Sequence, residues 1–483
     1  MIKAKAAVLK GLGNWDYDEI IIPNPGKDRA VIKIIKSGIC STDVVRSMEF
    51  GFYSYPIVPG HEMLGSIYKL GSKHETLKEG DKVCVYPLIT RCLDESCCGG
   101  CNSVYGINKA PNLCSDYDFL GSRSHGGYAE FVSSPINNLV KVPDSLDDNL
   151  AVFAEPASVA LHAFKIAKQD RNFDSVAIFG LGPIGILIAA WCKLNKIKNV
   201  IGVDRNENRF NNFKDLGFKN IIDTSKGNIK AKINEFTSNE NVEVAFECSG
   251  SEVLLNSAIN SLKKSGKIII LSNQINKSTL SHETLNKILR QEIQIKGSWS
   301  SVIEPHNEWE ESLAMINQNK LEIKNLISHH YKFSDASHIF KSMYKKEFKN
   351  SKVGVRMKAI VLGGTKGIGK SIVENLQDTC EHVVVAGSND INTKSLDSVE
   401  QFIKKYKETD VLVLNTGGPP DLKVNDIDDK IWLDYFNSLF LSFFKLITKI
   451  NIRKGGYIFL ISSFIVKQPG TDLILSSSLR SGF

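Results

Sequence analysis

The stretch that decides the fold is SVAIFGLGPIGILIAAWCKLNKIKNVIGVD, residues 175–204. An apolar strand leads into a glycine-rich turn, an apolar helical segment follows, and a second apolar strand ends at an acidic residue. This order is typical of a parallel sheet, because parallel neighbouring strands need a crossover connection. The sequence therefore predicts a doubly wound α/β domain around this segment.

The turn in this segment has the pattern G-x-G-x-x-G, and its residues include Gly180, Gly182, Pro183, Ile184 and Gly185. Such glycines let backbone amides and a helix N-terminus approach a pyrophosphate. Asp204 stands 19 residues after the last glycine, where a carboxylate can hold the ribose hydroxyls of a dinucleotide. The pattern predicts a dinucleotide site, and a tight structural turn is the alternative.

The acidic residue also bears on which dinucleotide binds. The carboxylate of Asp204 would repel a 2′-phosphate, which favours NAD over NADP. Arg205 follows it directly, and a guanidinium there could accept that phosphate, so NADP stays possible.

The rhythm of strands and helices extends over residues 151–296, which we expect to form the dinucleotide-binding domain. Residues 1–150 contain short β-rich runs divided by Gly, Pro and Asp turns, which predicts a separate β-rich domain. The mixed stretch 297–356 is expected to fold back onto that β-rich domain. From residue 357 the pattern of a strand, a glycine turn and a helix occurs again. We therefore predict that residues 357–483 form a third unit.

Composition narrows the class of protein. The chain has 483 residues, of which 42% are hydrophobic and 23% charged, as in a folded multidomain protein. The net charge of +7 is small for this length, so we expect no nucleic-acid partner. The apolar runs are too short for a signal peptide or a membrane span, which predicts a cytoplasmic protein without a membrane partner. Ten cysteines in such a chain indicate metal sites or reduced thiols before disulfides.

Donors for a catalytic metal ion are spread over three motifs. Cys40 lies in GICSTD, and His61 and Glu62 lie in PGHE. Glu155 lies in AEPASVALH. A catalytic zinc site needs about three protein ligands and one open position, which a thiolate, an imidazole and a carboxylate would supply. Each residue taken singly is equally an ordinary turn or core residue, and spacing along the chain does not show that they converge.

Five further cysteines crowd into one short segment, at Cys92, Cys97, Cys98, Cys101 and Cys114. A C-x2-C pair beside further cysteines is a compact route to a closed tetrahedral zinc site. We predict a structural zinc with one cysteine, Cys97, spare, held by Cys92, Cys98, Cys101 and Cys114. A reduced thiol cluster is the alternative.

These motifs occur in the order found in zinc-containing medium-chain alcohol and polyol dehydrogenases, which the chain resembles over residues 1–356. The segments YPIVPGHE, DFLGSRSHGGYAE and KILRQEIQIKGSWSS are most similar to galactitol-1-phosphate dehydrogenase and related sugar-phosphate dehydrogenases. The resemblance implies a GroES-like catalytic domain joined to a Rossmann domain. It also implies a small-molecule alcohol substrate and a homo-oligomer, either a dimer or a tetramer.

The resemblance assigns the metal ligands by position. Cys40, His61 and Glu155 would hold the catalytic zinc, with Glu62 as an alternate or water-mediated ligand. Zinc acts as a Lewis acid that lowers the pKa of a bound alcohol, and the hydride then passes to the nicotinamide. The resemblance therefore implies Zn²⁺ and NAD as cofactors.

Further roles follow from the same resemblance. Asp43 would support His61 from behind, and Thr42 would pass the proton of the substrate outward. Arg209 would lie against the adenosine ribose. Arg46 and Arg123 are candidates to bind a substrate phosphate, and solvated surface arginines are the alternative for both.

Two features depart from the family pattern. Val45 stands where many relatives have the histidine that ends the proton relay, so the proton would leave by the ribose, Glu62 or water. The gaps within the cysteine cluster are also longer than usual, which leaves open which cysteine is the first ligand.

Residues 357–483 resemble a short-chain dehydrogenase/reductase through GGTKGIG, NTGGPP and ISS. Counting from Ser463 places Ser476 and Arg480 where that family has its catalytic tyrosine and lysine, so ordinary tyrosine-based proton transfer is not available. The stretch before the helix near Val399 is too short for the extra helix and strand of that family. We expect an incomplete Rossmann-like unit that serves as an appendage, and nucleotide binding is the alternative.

The leading hypothesis is a zinc- and NAD-dependent dehydrogenase that acts on a secondary hydroxyl of a polyol or sugar phosphate. The alternatives are an unphosphorylated polyol, a threonine-type amino alcohol, and a non-catalytic zinc or NADH sensor. The retained Cys40, His61 and Glu155 favour catalysis over sensing.

Overall fold

The computed structural model describes residues 1–90, 111–273, 278–323, 326–345, 357–377, 380–417 and 426–461. The chain divides into two compact units, Met1–Gly354 and Val355–Phe483. Among the described residues, no helix combines the length and the apolar character needed to cross a bilayer.

The first unit begins with an antiparallel β domain. Its strands are β1 (Ile2–Gly11), β2 (Asn14–Ile22), β3 (Arg29–Gly38), β4 (Glu62–Leu70), β5 (Lys82–Val85), β6 (Leu88–Thr90), β7 (Tyr117–Phe119), β8 (Phe131–Pro135) and β9 (Leu139–Lys141). Five strands form a sheet in the order β8-β3-β4-β5-β9, while β1 pairs with β2 and β6 pairs with β7. Helix α1 (Ser41–Val45) follows β3 and continues into a π-helical turn at Arg46–Phe50.

The β domain has its own apolar core. Strands β3 and β4 contribute Ala30, Ile32, Met63 and Ile67 to it. These residues recur at even spacings because successive side chains of a strand point to opposite faces of the sheet. The core therefore supports the two strands whose ends carry the motifs GICSTD and PGHE.

The next part of the first unit is a parallel α/β domain. Its helices are α2 (Asp148–Ala151), α3 (Ala154–Lys168), α4 (Pro183–Leu194), α5 (Glu207–Asp215), α6 (Ile229–Phe236), α7 (Glu252–Asn260) and α8 (His282–Gln291). Its strands are β10 (Ser175–Phe179), β11 (Asn199–Asp204), β12 (Asn220–Asp223), β13 (Val242–Glu247), β14 (Leu262–Ile270) and β15 (Gln294–Gly297).

The six strands of this domain are all parallel, in the order β12-β11-β10-β13-β14-β15. The direction of winding changes between β10 and β13. In open α/β sheets, ligands bind at the carboxyl ends of the strands at such a change of direction. The glycine turn after β10 lies at that position.

The chain after β15 packs back onto earlier elements. Helix α9 (Glu308–Asn317) lies against α3, with the hydroxyls of Ser158 and Ser312 3.3 Å apart. Helix α10 (Ala336–Tyr344) places Phe340 in the apolar cluster of Val44 and Tyr128. The contact of α10 supports α1, which carries Val44.

One apolar core joins the β domain to the parallel domain. Its largest fully buried side chains include Phe153, Phe164, Trp191 and Trp309, and Leu64 and Tyr86 of the β domain belong to the same cluster. The Tyr86 hydroxyl donates a 2.7 Å hydrogen bond to the Ser301 carbonyl. The β domain and the parallel domain therefore form a single packed unit.

The second unit contains β16 (Met357–Leu362), α11 (Gly367–Gln377), β17 (Cys380–Ala386), α12 (Leu396–Lys405), β18 (Glu408–Leu414), α13 (Asp429–Phe436), α14 (Ser442–Lys449) and β19 (Asn451–Leu460). The four strands among the described residues of this unit are parallel, in the order β17-β16-β18-β19. Residues 387–395, which join β17 to α12, contain no strand or helix. This connection therefore lacks the extra helix and strand that a short-chain reductase has there. Its short length in the sequence predicts their absence.

Candidate functional site

The pairing of β3 with β4 brings two sequence motifs together. Gly38 at the end of β3 is the antiparallel partner of Glu62 at the start of β4. Directly opposite residues of an antiparallel pair lie about 5 Å apart, so the residues just beyond the two strand ends are neighbours as well. Cys40 follows β3 and caps α1, and His61 precedes β4. The register thus combines GICSTD and PGHE into one site.

Cys40, His61 and Glu62 form a cluster of metal-binding side chains. Their ligand atoms, one sulfur, one ring nitrogen and one carboxylate oxygen, all lie within 4.8 Å of one another. His61 and Glu62 are buried, and Cys40 is partly exposed. Thiolate, imidazole and carboxylate are the ligands that zinc takes in proteins. The donor set therefore fits a zinc ion.

Glu155 lies in the first turn of α3 and is 9% exposed. It is not a member of the described group whose ligand atoms lie within 4.8 Å of one another. Its charge acts on Tyr86 instead. Burial raises the pKa of the Tyr86 phenol, and the charges of Glu308 and Glu155 raise it further. The role of Glu155 as a zinc ligand stays a prediction, while Glu62, the alternate ligand, lies within the cluster.

A second layer of buried polar groups orients His61. Asp43 Oδ1 lies 3.3 Å from His61 Nδ1, and Asp43 Oδ2 accepts a 2.7 Å hydrogen bond from the Tyr128 hydroxyl. With Nδ1 facing a carboxylate, Nε2 is the nitrogen available to a metal ion. The sequence indicated Asp43 for this position but not Tyr128, although Tyr128 lies within the motif SHGGYAE.

The same groups shift the pKa values in the cluster. Burial lowers the pKa of His61, but the Asp43 carboxylate and Cys40 outweigh it and raise that pKa well above 6.5. In the metal-free protein a proton on His61 is therefore favoured, and a metal ion must displace it. Burial and the charge of Asp43 raise the pKa of Tyr128 well above 10, so its hydroxyl keeps the proton that it donates.

Two glycines make room for the cluster. A Cβ on Gly38 would overlap Oε2 of Glu62, and because the φ of Gly38 is not positive, the requirement is one of space. Gly60 has a φ of 99°, and a Cβ there would lie 2.6 Å from the Tyr128 ring. The absence of these two side chains lets the strand ends and Tyr128 close around the metal donors.

Thr42 is the hydroxyl residue next to the cluster. Its Oγ1 lies 3.0 Å from Cys40 Sγ. A hydroxyl in this position is within reach of a substrate oxygen at the metal. Its role in proton transfer stays a prediction.

The predicted structural zinc site falls mostly outside the described residues, as do its ligands Cys92, Cys98 and Cys101 and the spare Cys97. The fourth predicted ligand, Cys114, is buried, and its Sγ lies 3.0 Å from the Asp116 carbonyl oxygen. This zinc site stays a prediction.

The glycine turn after β10 has the shape of a phosphate-binding turn. Gly180 has a φ of 99°, which favours glycine, and a Cβ on Gly185 would overlap the Gly180 carbonyl oxygen. Gly182 precedes α4, and a Cβ there would meet no atom within 4 Å. Pro183 and Ile184 in the first turn of α4 are half-buried. The N-terminus of α4 is thus accessible to an anionic group, which helix N-termini favour.

Asp204 ends β11 and is 4% exposed. Its Oδ2 accepts hydrogen bonds from the Leu181 amide at 2.8 Å and from Arg209 Nη1 at 3.1 Å. Its Oδ1 accepts from the amides of Arg205 and Asn206 at 2.7 and 2.9 Å. The carboxylate is therefore held beside the glycine turn, and Arg209 partly balances its charge.

Arg46 and Arg123 lie around the ring of Tyr53. Their guanidinium carbons are 4.7 and 4.2 Å from its centroid. Arg46 also faces the ring of Phe52 at 4.7 Å, and Arg123 faces the ring of Tyr117 at 4.5 Å. The fold thus brings together two arginines that the sequence offers only as separate candidates.

The glycine turn of the second unit packs tightly against the end of β18. Cβ atoms on Gly363 and Gly369 would overlap the carbonyl oxygens of Asn415 and Gly363, respectively. Asn415 Nδ2 also donates a 3.2 Å hydrogen bond to the Gly363 carbonyl. Outside the described residues lie Ser463, Ser476 and Arg480. The loss of tyrosine-based chemistry in this unit stays a prediction.

Two protein-family models match the first unit. The model described as an alcohol dehydrogenase GroES-like domain matches residues 26–144. The model described as a zinc-binding dehydrogenase matches residues 183–318. Both matched ranges end before the second unit begins.

Individual relatives agree with these matches. A sorbitol dehydrogenase of Halalkalibacterium halodurans is 31% identical over 71% of this chain and 96% of its own length. An L-threonine 3-dehydrogenase of Enterobacter sp. is 30% identical over the same shares. The crystal structure of galactitol-1-phosphate dehydrogenase from Escherichia coli superposes with a TM-score of 0.65 at 26% identity, covering 73% of this chain and 99% of that chain. Relatives named for different substrates are thus almost equally similar.

We expect Gly38→Ala to weaken metal binding. The new Cβ displaces the Glu62 carboxylate, so zinc affinity falls by about 10- to 100-fold, as for other changes next to metal ligands. Competition with a chelator measures it on the purified full chain. Gly11→Ala is the matched control in the same domain, since a Cβ at Gly11 meets no atom within 4 Å. Equal zinc affinities in the two variants would show that metal binding does not depend on the space that Gly38 leaves for the Glu62 carboxylate.

Zinc affinity should rise with pH through the raised pKa of His61, because below that pKa a proton competes with the metal ion. Asp43→Asn removes the charge that raises this pKa, so the rise should move to lower pH. Chelator competition at several pH values below and above neutrality measures both curves. Identical pH dependence in the variant and the wild type would rule out Asp43 as the cause.

Proposed function

This chain belongs to the zinc-binding medium-chain dehydrogenases, and we propose that it transfers hydride between NAD and a secondary hydroxyl of a polyol or sugar phosphate. The observation that carries the proposal is the cluster of Cys40, His61 and Glu62. It lies in the same compact unit as the glycine turn after β10. Alcohol oxidation of this kind needs a metal site and a dinucleotide site. One compact unit contains candidate residues for both.

The metal would be held by Cys40, His61 and a carboxylate. Glu62 and Glu155 are both candidates for the carboxylate, and three protein ligands leave a fourth position for the substrate. When bound, zinc supplies a Lewis acid that lowers the pKa of the substrate hydroxyl, and NAD supplies the hydride acceptor. The family resemblance implies Glu155 as the ligand, whereas Glu62 is the carboxylate whose oxygen lies within 4.8 Å of the Cys40 and His61 ligand atoms.

Asp43 and Tyr128 would hold the imidazole in its ligating orientation. The Tyr128 hydroxyl keeps one oxygen of Asp43 in place, and the other oxygen faces His61 Nδ1. Such partners fix the ring and raise the basicity of a histidine ligand. We therefore assign Asp43 and Tyr128 to positioning.

Thr42 would carry the substrate proton away from the metal. Its hydroxyl lies beside the Cys40 sulfur and can accept a proton from the substrate while passing on its own. Val45, farther along α1, has no titratable group. The next acceptor is therefore a ribose hydroxyl, Glu62 or water.

NAD is the dinucleotide that the end of β11 favours. The Asp204 carboxylate would accept hydrogen bonds from the adenosine ribose and repel a 2′-phosphate. Arg209, already in contact with Asp204, would lie against the same ribose. The glycine turn of Gly180, Gly182 and Gly185 would receive the pyrophosphate.

The substrate class rests on the relatives and on the two arginines. Relatives named for sorbitol and for galactitol 1-phosphate support a polyol or its phosphate. A relative named for L-threonine supports an amino alcohol as the second candidate. Reduction of NAD across polyols, polyol phosphates and L-threonine, with zinc content measured in parallel, distinguishes them. Cofactor binding without turnover of any of these would indicate a sensor instead.

Cys40→Ser should lower kcat by about 1000-fold, because loss of the Lewis acid costs several kcal/mol of transition-state stabilisation. Its NADH affinity, measured by fluorescence titration, should stay unchanged, since Cys40 is not part of the glycine turn. Asp204→Ala is the converse variant, which should bind NADH more weakly and keep its zinc. Parallel loss of NADH affinity in both variants would contradict separate metal and dinucleotide sites.

The second unit would be an appendage without a separate oxidation site. Deleting residues 357–483 should therefore leave kcat and KM for the alcohol unchanged, since the metal cluster and the glycine turn both lie in the first unit. Circular dichroism and zinc content establish that the truncated chain is folded. An inactive but folded and zinc-loaded truncated chain would overturn this assignment.

A further inference from the structure

Arg46 and Arg123 both contact the ring of Tyr53. Within the described parts of the chain, neither Arg46 nor Arg123 forms an ion pair with a carboxylate. Both instead contact aromatic rings, and both guanidinium carbons lie within 4.7 Å of the centroid of the same ring, that of Tyr53. Cation–π contacts offset part of the repulsion between the two charges but leave the net charge uncompensated. The pair therefore forms a site of positive charge.

Arg46 reaches this site from the Cys40 side of the cluster. It is four residues beyond Thr42 in the continuous helical segment formed by α1 and the π-helical turn. Residues at this spacing lie on one helix face, about 6 Å apart along the axis. Since the Thr42 hydroxyl contacts the Cys40 sulfur, the backbone of Arg46 lies roughly one helical turn beyond a residue that touches a metal donor.

Arg123 reaches the site from the His61 side. The ring of Phe119 on β7 lies 5.8 Å from the His61 ring. Tyr117 is two positions earlier on β7 and therefore on the same face of the strand. Arg123 Nη2 donates a 3.3 Å hydrogen bond to the Tyr117 hydroxyl. The two arginines thus approach the ring of Tyr53 from different sides. Arg46 belongs to the helical segment that contains Thr42, and Arg123 contacts the strand β7 that packs against His61.

Both guanidinium groups keep donors for a ligand. The only described hydrogen bond of Arg46 runs from Nε to the Gly51 carbonyl, which leaves its two Nη atoms available. Arg123 is exposed, and Tyr53 is 60% exposed. A ligand from solvent can therefore reach the N–H groups of both arginines.

We propose that Arg46 and Arg123 bind the phosphate group of a polyol monophosphate whose secondary hydroxyl lies at the metal cluster. The proposal rests on the proposed function and assigns its substrate class. Guanidinium groups present forks of N–H donors that match phosphate oxygens. A phosphate monoester carries a charge of about −1.5 to −2 near neutral pH, which two arginines balance. The carboxylate of an amino alcohol such as threonine carries a single charge and needs only one of them.

The first experiment compares kcat/KM for galactitol 1-phosphate with galactitol and for sorbitol 6-phosphate with sorbitol. Wild type should prefer one of the phosphates by about 100-fold or more, given the strength of charge-assisted hydrogen bonds. The double variant R46Q/R123Q should lose that preference through a higher KM for the phosphate. The readout is the ratio of its kcat/KM values for the phosphorylated and the unphosphorylated polyol, and circular dichroism and zinc content show that the variant is folded. R46K/R123K, which keeps the charges, should recover part of the preference.

Arg290→Gln is the matched control, because Arg290 is an exposed arginine of α8 in the parallel domain. It should behave like wild type with every substrate. Equal use of phosphorylated and unphosphorylated polyols by wild type would overturn the proposal. So would a phosphate preference that survives in R46Q/R123Q.

The second experiment needs no turnover. Inorganic phosphate is titrated calorimetrically into the zinc-loaded full chain, with NADH present so that the dinucleotide site is filled. Wild type and R290Q should bind phosphate, and R46Q/R123Q should bind it about 100-fold more weakly. Equal binding by all three, or none by wild type, would overturn the proposal. Arginine-dependent phosphate binding in a chain that oxidises no alcohol would support the anion site and count against the proposed function alone.

Discussion

The pairing of Gly38 with Glu62 across β3 and β4 is the contact on which the candidate site depends. It sets Cys40 and His61 at adjacent strand ends, and the missing side chain at position 38 leaves space for the Glu62 carboxylate. A slip of one residue in a strand turns every side chain to the other face of the sheet. Correct register is therefore required to bring Cys40, His61 and Glu62 together.

Buried polar and apolar contacts hold the metal-binding side chains in place. Asp43 connects the His61 imidazole to the Tyr128 hydroxyl, so the ring is held from behind by buried polar groups. The shared apolar core, with Tyr86 against Trp309 at a ring-centroid distance of 5.6 Å, ties the β domain to the parallel sheet. The metal-binding side chains and the glycine turn belong to this one packed unit. Their relative position can therefore be maintained, and hydride transfer depends on accurate positioning.

Much of the parallel domain could be predicted from local patterns. The glycines and Asp204 act through a turn and two adjacent strands, so their spacing in the chain reflects their spacing in space. Glu155 illustrates the opposite case, because its distance from Cys40 and His61 depends on how α3 packs against the β domain. The family resemblance implies Glu155 as the ligand, whereas the described cluster contains Glu62. Several residues of the predicted structural zinc site, among them Cys98, are not described, and that prediction stands as made.

The order of strands and helices and the glycine turn could thus be predicted from the amino-acid sequence, because each depends on neighbours within a few dozen residues. The candidate metal donors could be named from their motifs, but their convergence could not be predicted. Other features came from long-range packing alone. Tyr128 reaches Asp43, and Arg46 and Arg123 meet around Tyr53, from segments far apart in the chain. No periodicity or spacing records such contacts, since they arise from strand register and from the packing of separate elements.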